Sequence, residues 1–327
     1  MSKKPKLIYR IEDYPNFSQG WIEPLIQRHF DFEPWQPHQR YDKNTVVLAT
    51  YQQDFEPNAW FRLLEQDGHC IVIDHLFDSD VDTKSFRLHD RKLDLRSGHW
   101  MWYRTALLAS HYGYNQYRPR PSYTHDFLCL MNKIRDHRDQ VMNDLAAELT
   151  TARWSYVDRG HDIGDPQERM TQVFWEYYMS PNWYDTTCWH LVVESYVRSD
   201  WWFVNPQYPN YRTEISEKSY KPIAYYQPFV VLGSEGTLRF LRSQGFETFD
   251  HLWSEHYDLI TSDTERINTV IAQVKDMVKV YNRHWTGWDA ETQAKLAHNH
   301  ARFFDLHTVQ QRFDQEIVAD IMEFINQ

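Results

Sequence analysis

Ser216-Glu217-Lys218-Ser219-Tyr220-Lys221-Pro222-Ile223, followed by Pro228-Phe229-Val230-Val231-Leu232-Gly233, is the stretch on which the fold turns. Its first half reads as a helix opened by an acid and a base, and Pro222 inside it limits that helix to about two turns before a bend. Its second half is a short, β-branched apolar run of the kind a parallel sheet buries on both faces. A further helix should start at Glu235 and be stopped by Gly245.

The same alternation extends outward in both directions. Upstream, Asp126–Met131 reads as a strand, His137–Leu149 as a helix, Arg153–Val157 as a strand, and Leu191-Val192-Val193 as a buried strand ending at Glu194-Ser195. Nearer the N-terminus, Leu7–Ile11, Thr45–Thr50 and Cys70–Asp74 are short strand-like runs separated by polar or helical stretches such as Asn58–Gln66. Ser97–Tyr112 has the character of a Trp-rich helix. Beyond Asp263 the apolar spacing is helical, at Ile267, Val270, Ile271, Val274 and Val278, and again at Ile317, Ile321, Phe324 and Ile325. Strands alternating with helices predict an α/β protein with parallel sheets. The best linker is Tyr117-Arg118-Pro119-Arg120-Pro121-Ser122, where two prolines forbid helix and central strand alike. It divides the chain into residues 1–121 and 122–327, a length of 327 being ample for two domains.

Composition narrows the function classes. The formal charge is 35 minus 46, or −11, so the surface as a whole repels nucleic acid and anionic membrane at long range. One local basic cluster stands against it, Arg118, Arg120, Lys133, Arg135, His137 and Arg138. Aromatic residues make up 16% of the chain, enough both to fill cores and to offer flat platforms to sugars and bases. Three scattered cysteines, Cys70, Cys129 and Cys188, fit buried thiols in a reducing compartment. With neither a signal peptide nor an apolar span in the sequence, a cytoplasmic protein is expected.

The usual nucleotide and hydrolase motifs are missing: no P-loop, no Gly-x-Gly-x-x-Gly turn and no Gly-x-Ser-x-Gly elbow occur, and the chain has only 10 glycines. Phosphates would have to be held by side chains and helix starts. The 17 histidines lack metal-binding spacing; His298 and His300, two apart on a helix, point in different directions. No metal held by the protein itself is expected, and a divalent ion would arrive with a diphosphate ligand.

Three constellations remain. Asn132-Lys133-Ile134-Arg135-Asp136-His137-Arg138 follows a strand directly, at the sheet edge where α/β proteins bind ligands, and Arg138 in the first helical turn could reach a phosphate. The same basic residues could equally solvate a loop. Glu194 ends a buried strand and could accept hydrogen bonds from a sugar or base, or cap a neighbouring helix. Glu217 can accept two ribose hydroxyls while Lys218 brings a mobile charge to a diphosphate; Lys221, one turn on, is a second phosphate contact or a helical partner of Glu217.

Phe127-Leu128-Cys129-Leu130 before Asn132 and His137-Arg138, Leu191–Glu194, Ile215–Ile223, Pro228-Phe229 and Gly245–Phe249, with Asn299 and Phe303-Phe304 further on, together resemble phage and bacterial glycosyltransferase-like proteins distantly similar to the α-1,3-fucosyltransferases. The resemblance covers roughly Asp126 to Phe304 and leaves the N-terminal half without a motif. It implies a GT-B arrangement, with two Rossmann-like domains facing across a cleft, a helical C-terminal tail, and a nucleotide-sugar donor held by residues 122–327. In such enzymes an arginine after a strand meets the diphosphate and a Glu-Lys pair at a helix start meets ribose and phosphate; Arg138, Glu217 and Lys218 match those positions. The continuation Ser219-Tyr220-Lys221-Pro222 departs from the fucosyltransferase pattern, so GDP-fucose is not implied.

The expectation is therefore a transferase moving a sugar from a nucleotide-diphosphate donor to a hydroxyl. Asp74, closing its strand, is the candidate catalytic base, with Asp54 and Glu56 in reserve. The phage-like resemblance favours a hydroxymethylated pyrimidine in DNA, 5-hydroxymethylcytosine, as acceptor, acted on in a host cytoplasm. The acidic charge keeps a saccharide or lipid-linked glycan open. A non-catalytic nucleotide- or glycan-binding protein is the alternative from another class, and a nucleotide-binding hydrolase is a third.

Overall fold

The computed structural model describes residues 4–9, 28–34, 46–51, 70–76, 92–94, 102, 105–107, 109–110, 112–164, 180–197, 215–319 and 322. Contacts divide the chain into two compact units, Met1–Leu107 with Leu306–Gln327, and Leu108–Asp305. Both are α/β in character, and every strand pairing in their two sheets is parallel.

The first unit carries β1 (Lys6–Tyr9), β2 (Asp31–Pro34), β3 (Val46–Tyr51), β4 (Cys70–Leu76) and β5 (Lys92–Asp94), in the spatial order β2-β1-β3-β4-β5. The apolar runs of β1, β3 and β4 lie in the middle of the sheet. The two strands that the sequence hides, β2 and β5, are its edges, where polar residues and Pro34 are tolerated because one side of the ladder is unpaired. Asp74 lies within β4, its backbone opposite Thr50, with the register shifting just beyond; its side chain, like Asp54, Glu56 and the helix expected at Asn58–Gln66, lies outside the described residues. The end of the chain returns to this unit: His29 Nε2 meets Asp314 Oδ1 at 2.9 Å, and the Arg312 guanidinium stands 5.6 Å over the ring of Trp102. Trp102, residues 105–107, Ala109 and Ser110 are helical, within the expected Trp-rich helix.

In the second unit β6 (His125–Met131), β7 (Arg153–Tyr156), β8 (Thr187–Val193) and β9 (Phe229–Leu232) form a sheet of order β7-β6-β8-β9. All seven residues of β8 and all four of β9 are buried; β9 reads as an unbroken apolar run, whereas β8 carries Thr187 and His190 and reads as a strand only over residues 191–193. The helices are α1 (Asp136–Asp144), α2 (Ala146–Leu149), α3 (Pro181–Asp185), α4 (Glu217–Ala224), α5 (Thr237–Ser243), α6 (Asp263–Val280) and α7 (Ala290–Phe303). The helix expected over His137–Leu149 breaks at Leu145, whose ψ of 18° takes the chain out of the helical ladder after the weak helix formers Asn143 and Asp144. Helix α4 ends two residues past Pro222, and Tyr226 then adopts φ +54°, the left-handed conformation usually left to glycine, with its ring stacked 4.1 Å from His300. Gly245 ends α5 at φ +84°, as the sequence predicts, and a Cβ there would also strike the Arg302 guanidinium at 2.6 Å.

Much of the aromatic wealth goes into this unit's core. Phe127 stacks on Trp189 at 4.8 Å, Tyr184 on Tyr225 at 4.1 Å, and Tyr220 on Phe303 at 5.9 Å. The Pro-rich stretch, expected to be a linker, is held inside this unit: Asp185 accepts from Tyr117 Oη at 2.5 Å and from Arg120 N at 2.7 Å, Ser122 N donates to Asp185 O at 2.8 Å, and the Tyr117 ring lies 4.8 Å from that of Tyr225. The contact boundary accordingly falls earlier, at Leu107.

A buried carboxylate from outside caps helix α5, whose own cap position is Gly236: Asp258 accepts from Leu238 N at 2.8 Å and Arg239 N at 3.0 Å. Asp258→Ala is expected to cost about 2 kcal/mol, read as a lowered urea midpoint at unchanged m-value.

Candidate functional site

Strand order places the site. From β6 the chain moves outward to β7, and from β8 it moves the other way to β9, so the connections diverge between β6 and β8. In open parallel sheets the crevice at the carboxyl ends of such a strand pair receives ligands, because the loops there part and the following helices point their positive ends at it. Helices α1 and α4 start at this edge, after β6 and near the end of β8.

Arg138, in the first turn of α1, spans the switch point. It is 1% exposed; Nη1 donates to Lys133 O at 3.0 Å, in the loop after β6, and Nη2 to Val193 O at 3.4 Å, the last residue of β8. Its Nε–H has no hydrogen-bond partner among the described residues. Burial and then the charge of Arg135 pull its pKa down, while Glu194 and Glu217 pull it up. Both acids singled out in the sequence therefore lie within electrostatic reach of this guanidinium.

Glu194 is also buried, and its carboxylate is committed to the start of α4. Oε1 accepts from Ser216 N at 3.1 Å and Ser219 Oγ at 2.6 Å, and Oε2 accepts from the Ser216 hydroxyl. Ser216 in turn caps Lys218 N at 3.3 Å. Of the two roles its sequence position allows, helix anchor is the one these bonds fill. Gly233, after β9, keeps the space beside it: a Cβ there would sit 3.5 Å from Glu194 Cγ and 2.8 Å from Thr237 Oγ1.

At the mouth, Lys218 Nζ lies 2.9 Å from Glu217 Oε1 and 3.2 Å from Ser216 Oγ. Their side chains are 20% and 12% exposed, accessible yet partly shielded, where an ion pair is stronger than on an open surface. Lys221 lies one turn deeper and is buried; its charge, after burial itself, holds His190 down to about 3. It belongs to the wall behind the sheet edge rather than to the mouth.

Neighbouring side chains complete the edge. His137 Nε2 meets Glu194 O at 3.0 Å, and because a carbonyl only accepts, that nitrogen carries the proton. Burial lowers its pKa to about 4. Ile134, 40% exposed, stands on the rim beside the exposed Lys133, and the Arg135 guanidinium lies 5.8 Å from the Tyr196 ring. The basic cluster of the sequence is thus divided: Lys133, Arg135, His137 and Arg138 gather at the carboxyl edge, whereas Arg118 and Arg120 lie near the amino ends of the strands, where Asp185 accepts from Arg120 N and Arg118 Nη1 donates to Tyr117 O.

Sequence reasoning missed Arg266. From α6 its Nε donates to Gly233 O at 2.9 Å and Nη2 to Val197 O, joining the loops that follow β9 and β8. Its signal was available: Arg266 stands four residues before Val270, on the apolar stripe of α6, where a charge needs buried partners. Among the described residues no group of His, Cys, Asp or Glu is arranged to hold a metal ion, and no helix is long and apolar enough to cross a membrane.

No protein-family model and no curated protein matches the chain. Among solved structures it is similar to a crystal structure of an α1,3-fucosyltransferase with GDP-fucose, at 10% identity and a TM-score of 0.41, over 93% of this chain and 92% of that one.

Proposed function

We propose that the protein is a nucleotide-sugar-dependent glycosyltransferase whose donor binds at the β6–β8 switch point. What carries this reading is the convergence of Arg138, Glu217 and Lys218 on one sheet edge, in a chain without a glycine-rich phosphate loop. Glu217 and Lys218 form an ion pair at 2.9 Å; a ribose and a diphosphate would exchange that pair for hydroxyls on the carboxylate and a phosphate on the ammonium. Arg138, buried with its Nε–H unpartnered among the described residues, holds positive charge behind the diphosphate. Glu194 is assigned a positioning role through Ser216 and Ser219, and Lys221 a supporting charge.

In transfer, the acceptor oxygen bonds the anomeric carbon as the bond from that carbon to the diphosphate oxygen breaks. The hydroxyl proton passes to a base, for which Asp74 is our candidate, and the diphosphate leaves with its charge balanced by Arg138 and Lys218. Any divalent ion would come with the diphosphate.

Calorimetry against GDP, UDP, CDP and ADP tests the donor site. One diphosphate should bind clearly, and Arg138→Lys or Lys218→Gln should weaken it about tenfold to a hundredfold, Arg138→Lys because an ammonium cannot reproduce the guanidinium fork. Failure of all four to bind would remove the transferase reading and leave a non-catalytic protein on this fold. The acceptor is tested by mass change on hydroxymethylated DNA and on oligosaccharides, each with sugar nucleotides of the bound base. The net charge of −11 favours the glycan.

A further inference from the structure

A cavity of about 430 Å³ opens at the opposite, amino edge of the same sheet, between the start of β6, the end of α2 and the start of β7. His125, Thr150, Arg153, Trp154, His161 and Ile163 line it. Its outer wall is made by a short turn after β7. Gly160, at φ +80°, reverses the chain, Tyr156 N donates to His161 O at 2.6 Å and His161 N to Tyr156 O at 3.2 Å, and the imidazole of His161 lands 4.0 Å from the Trp154 ring.

The polar groups here have one sign. No carboxylate is among the described residues lining the cavity. Asp126, next to His125, is already engaged by Arg283 Nη1 at 3.1 Å, by Arg283 N at 2.9 Å and by the Thr151 hydroxyl, and Asp162, between His161 and Ile163, accepts from Gly164 N at 2.9 Å. Arg153 is half-buried, with Thr186 Oγ1 at 3.2 Å its one side-chain acceptor among the described residues, and burial pulls its pKa down. His125 is held below its ordinary pKa by burial and by Arg153, so at neutral pH its ring offers hydrogen bonds without charge. His125 Nδ1 meets Thr124 Oγ1 at 2.9 Å and leaves Nε2 to a ligand, while Thr150 Oγ1 donates to Ala147 O at 2.6 Å and can still accept. One cation, these uncharged groups and the Trp154–His161 ring pair, tilted by 33°, form a site for a ring bearing hydroxyls and one negative charge.

We propose that this cavity binds a sugar carrying a carboxylate, a uronic acid or an acidic residue of a glycan, separately from the donor site. The Arg153 guanidinium pairs with the carboxylate, Thr150 and His125 meet ring hydroxyls, and the Trp154–His161 wall packs against the sugar's C–H face. The volume lies within the range of small-ligand pockets.

The test is binding of glucuronate, glucose and acetate, followed by calorimetry and ligand-observed NMR without nucleotide, so that its outcome is independent of the donor reading. Glucuronate should bind at least about tenfold more tightly than either of the others, and Arg153→Gln should cost about tenfold. His161→Ala, at an exposed position where folding is not at stake, should weaken glucuronate about threefold while leaving acetate unchanged. Acetate binding as well as glucuronate would reduce the site to a bare anion contact and overturn the proposal. Equal binding of glucose, or no binding of glucuronate to the wild-type protein, would overturn it too.

Discussion

Glu194→Ala is expected to be among the most destabilising single changes in the second unit, by about 3–5 kcal/mol. The carboxylate is 2% exposed, and removing it strands three donors at once, Ser216 N, Ser216 Oγ and Ser219 Oγ, at the start of a helix whose following residues are buried. It also takes away a negative charge that supports the buried Arg138. Glu194→Gln keeps the shape and one acceptor oxygen and should cost about half as much. Urea midpoints of the two variants measure this. If Glu194→Ala lay within about 0.5 kcal/mol of wild type, as surface changes do, Glu194 would not be the anchor of α4. Should the donor reading hold, Glu194→Gln should weaken diphosphate binding without any contact to the ligand, through the position of Glu217 and Lys218.

The second large effect is expected on acidification. Burial holds His137 and His300 down to about 4 and His190 down to about 3, against about 6.5 for the unfolded residues. Between those values the unfolded chain binds protons that the folded one refuses. The stability these neutral histidines confer is thus present above pH of about 6.5 and lost as pH falls toward 4. Each unit of depression corresponds to about 1.4 kcal/mol, so the three together withdraw several kcal/mol by about pH 4.5, an upper figure since His137 and His300 keep some solvent contact. Glu255 and Asp258 work in the opposite direction: burial raises both, and the strain of keeping them charged is relieved on protonation, offsetting part of the loss. Urea midpoints from pH 7.5 to 4.5 should fall steeply, and His190→Phe, which also deletes a buried Nδ1 with no partner among the described residues, should flatten the slope. A level profile across that range would contradict the buried, neutral state of these rings.

The central strands were legible through their apolar stretches, residues 127–131 of β6, 191–193 of β8 and the whole of β9, because a strand buried on both faces is largely apolar; the first half of β8, with Thr187 and His190, carried no such signal. The stop at Gly245 and the short α4 were legible because proline and glycine act through their own backbone geometry. The edge strands β2 and β5 were not, since an edge position imposes no apolar pattern. Nor could local sequence show that the Pro-rich stretch is pinned by Asp185, 68 residues from Tyr117, or that the basic cluster is split between two ends of one sheet.

What the sequence determined by itself is the α/β alternation and the helix start at Ser216-Glu217-Lys218, properties set by residues a few positions apart. Tertiary structure decided which of the charged residues meet. Arg138 reaches Val193 O across 55 residues and Glu194 reaches Ser219 across 25, distances over which only strand order can say what becomes adjacent. It also decided that Glu194 anchors a helix while Glu217 and Lys218 remain at the mouth, because burial and the number of donors around a carboxylate are facts of packing that a linear chain does not carry.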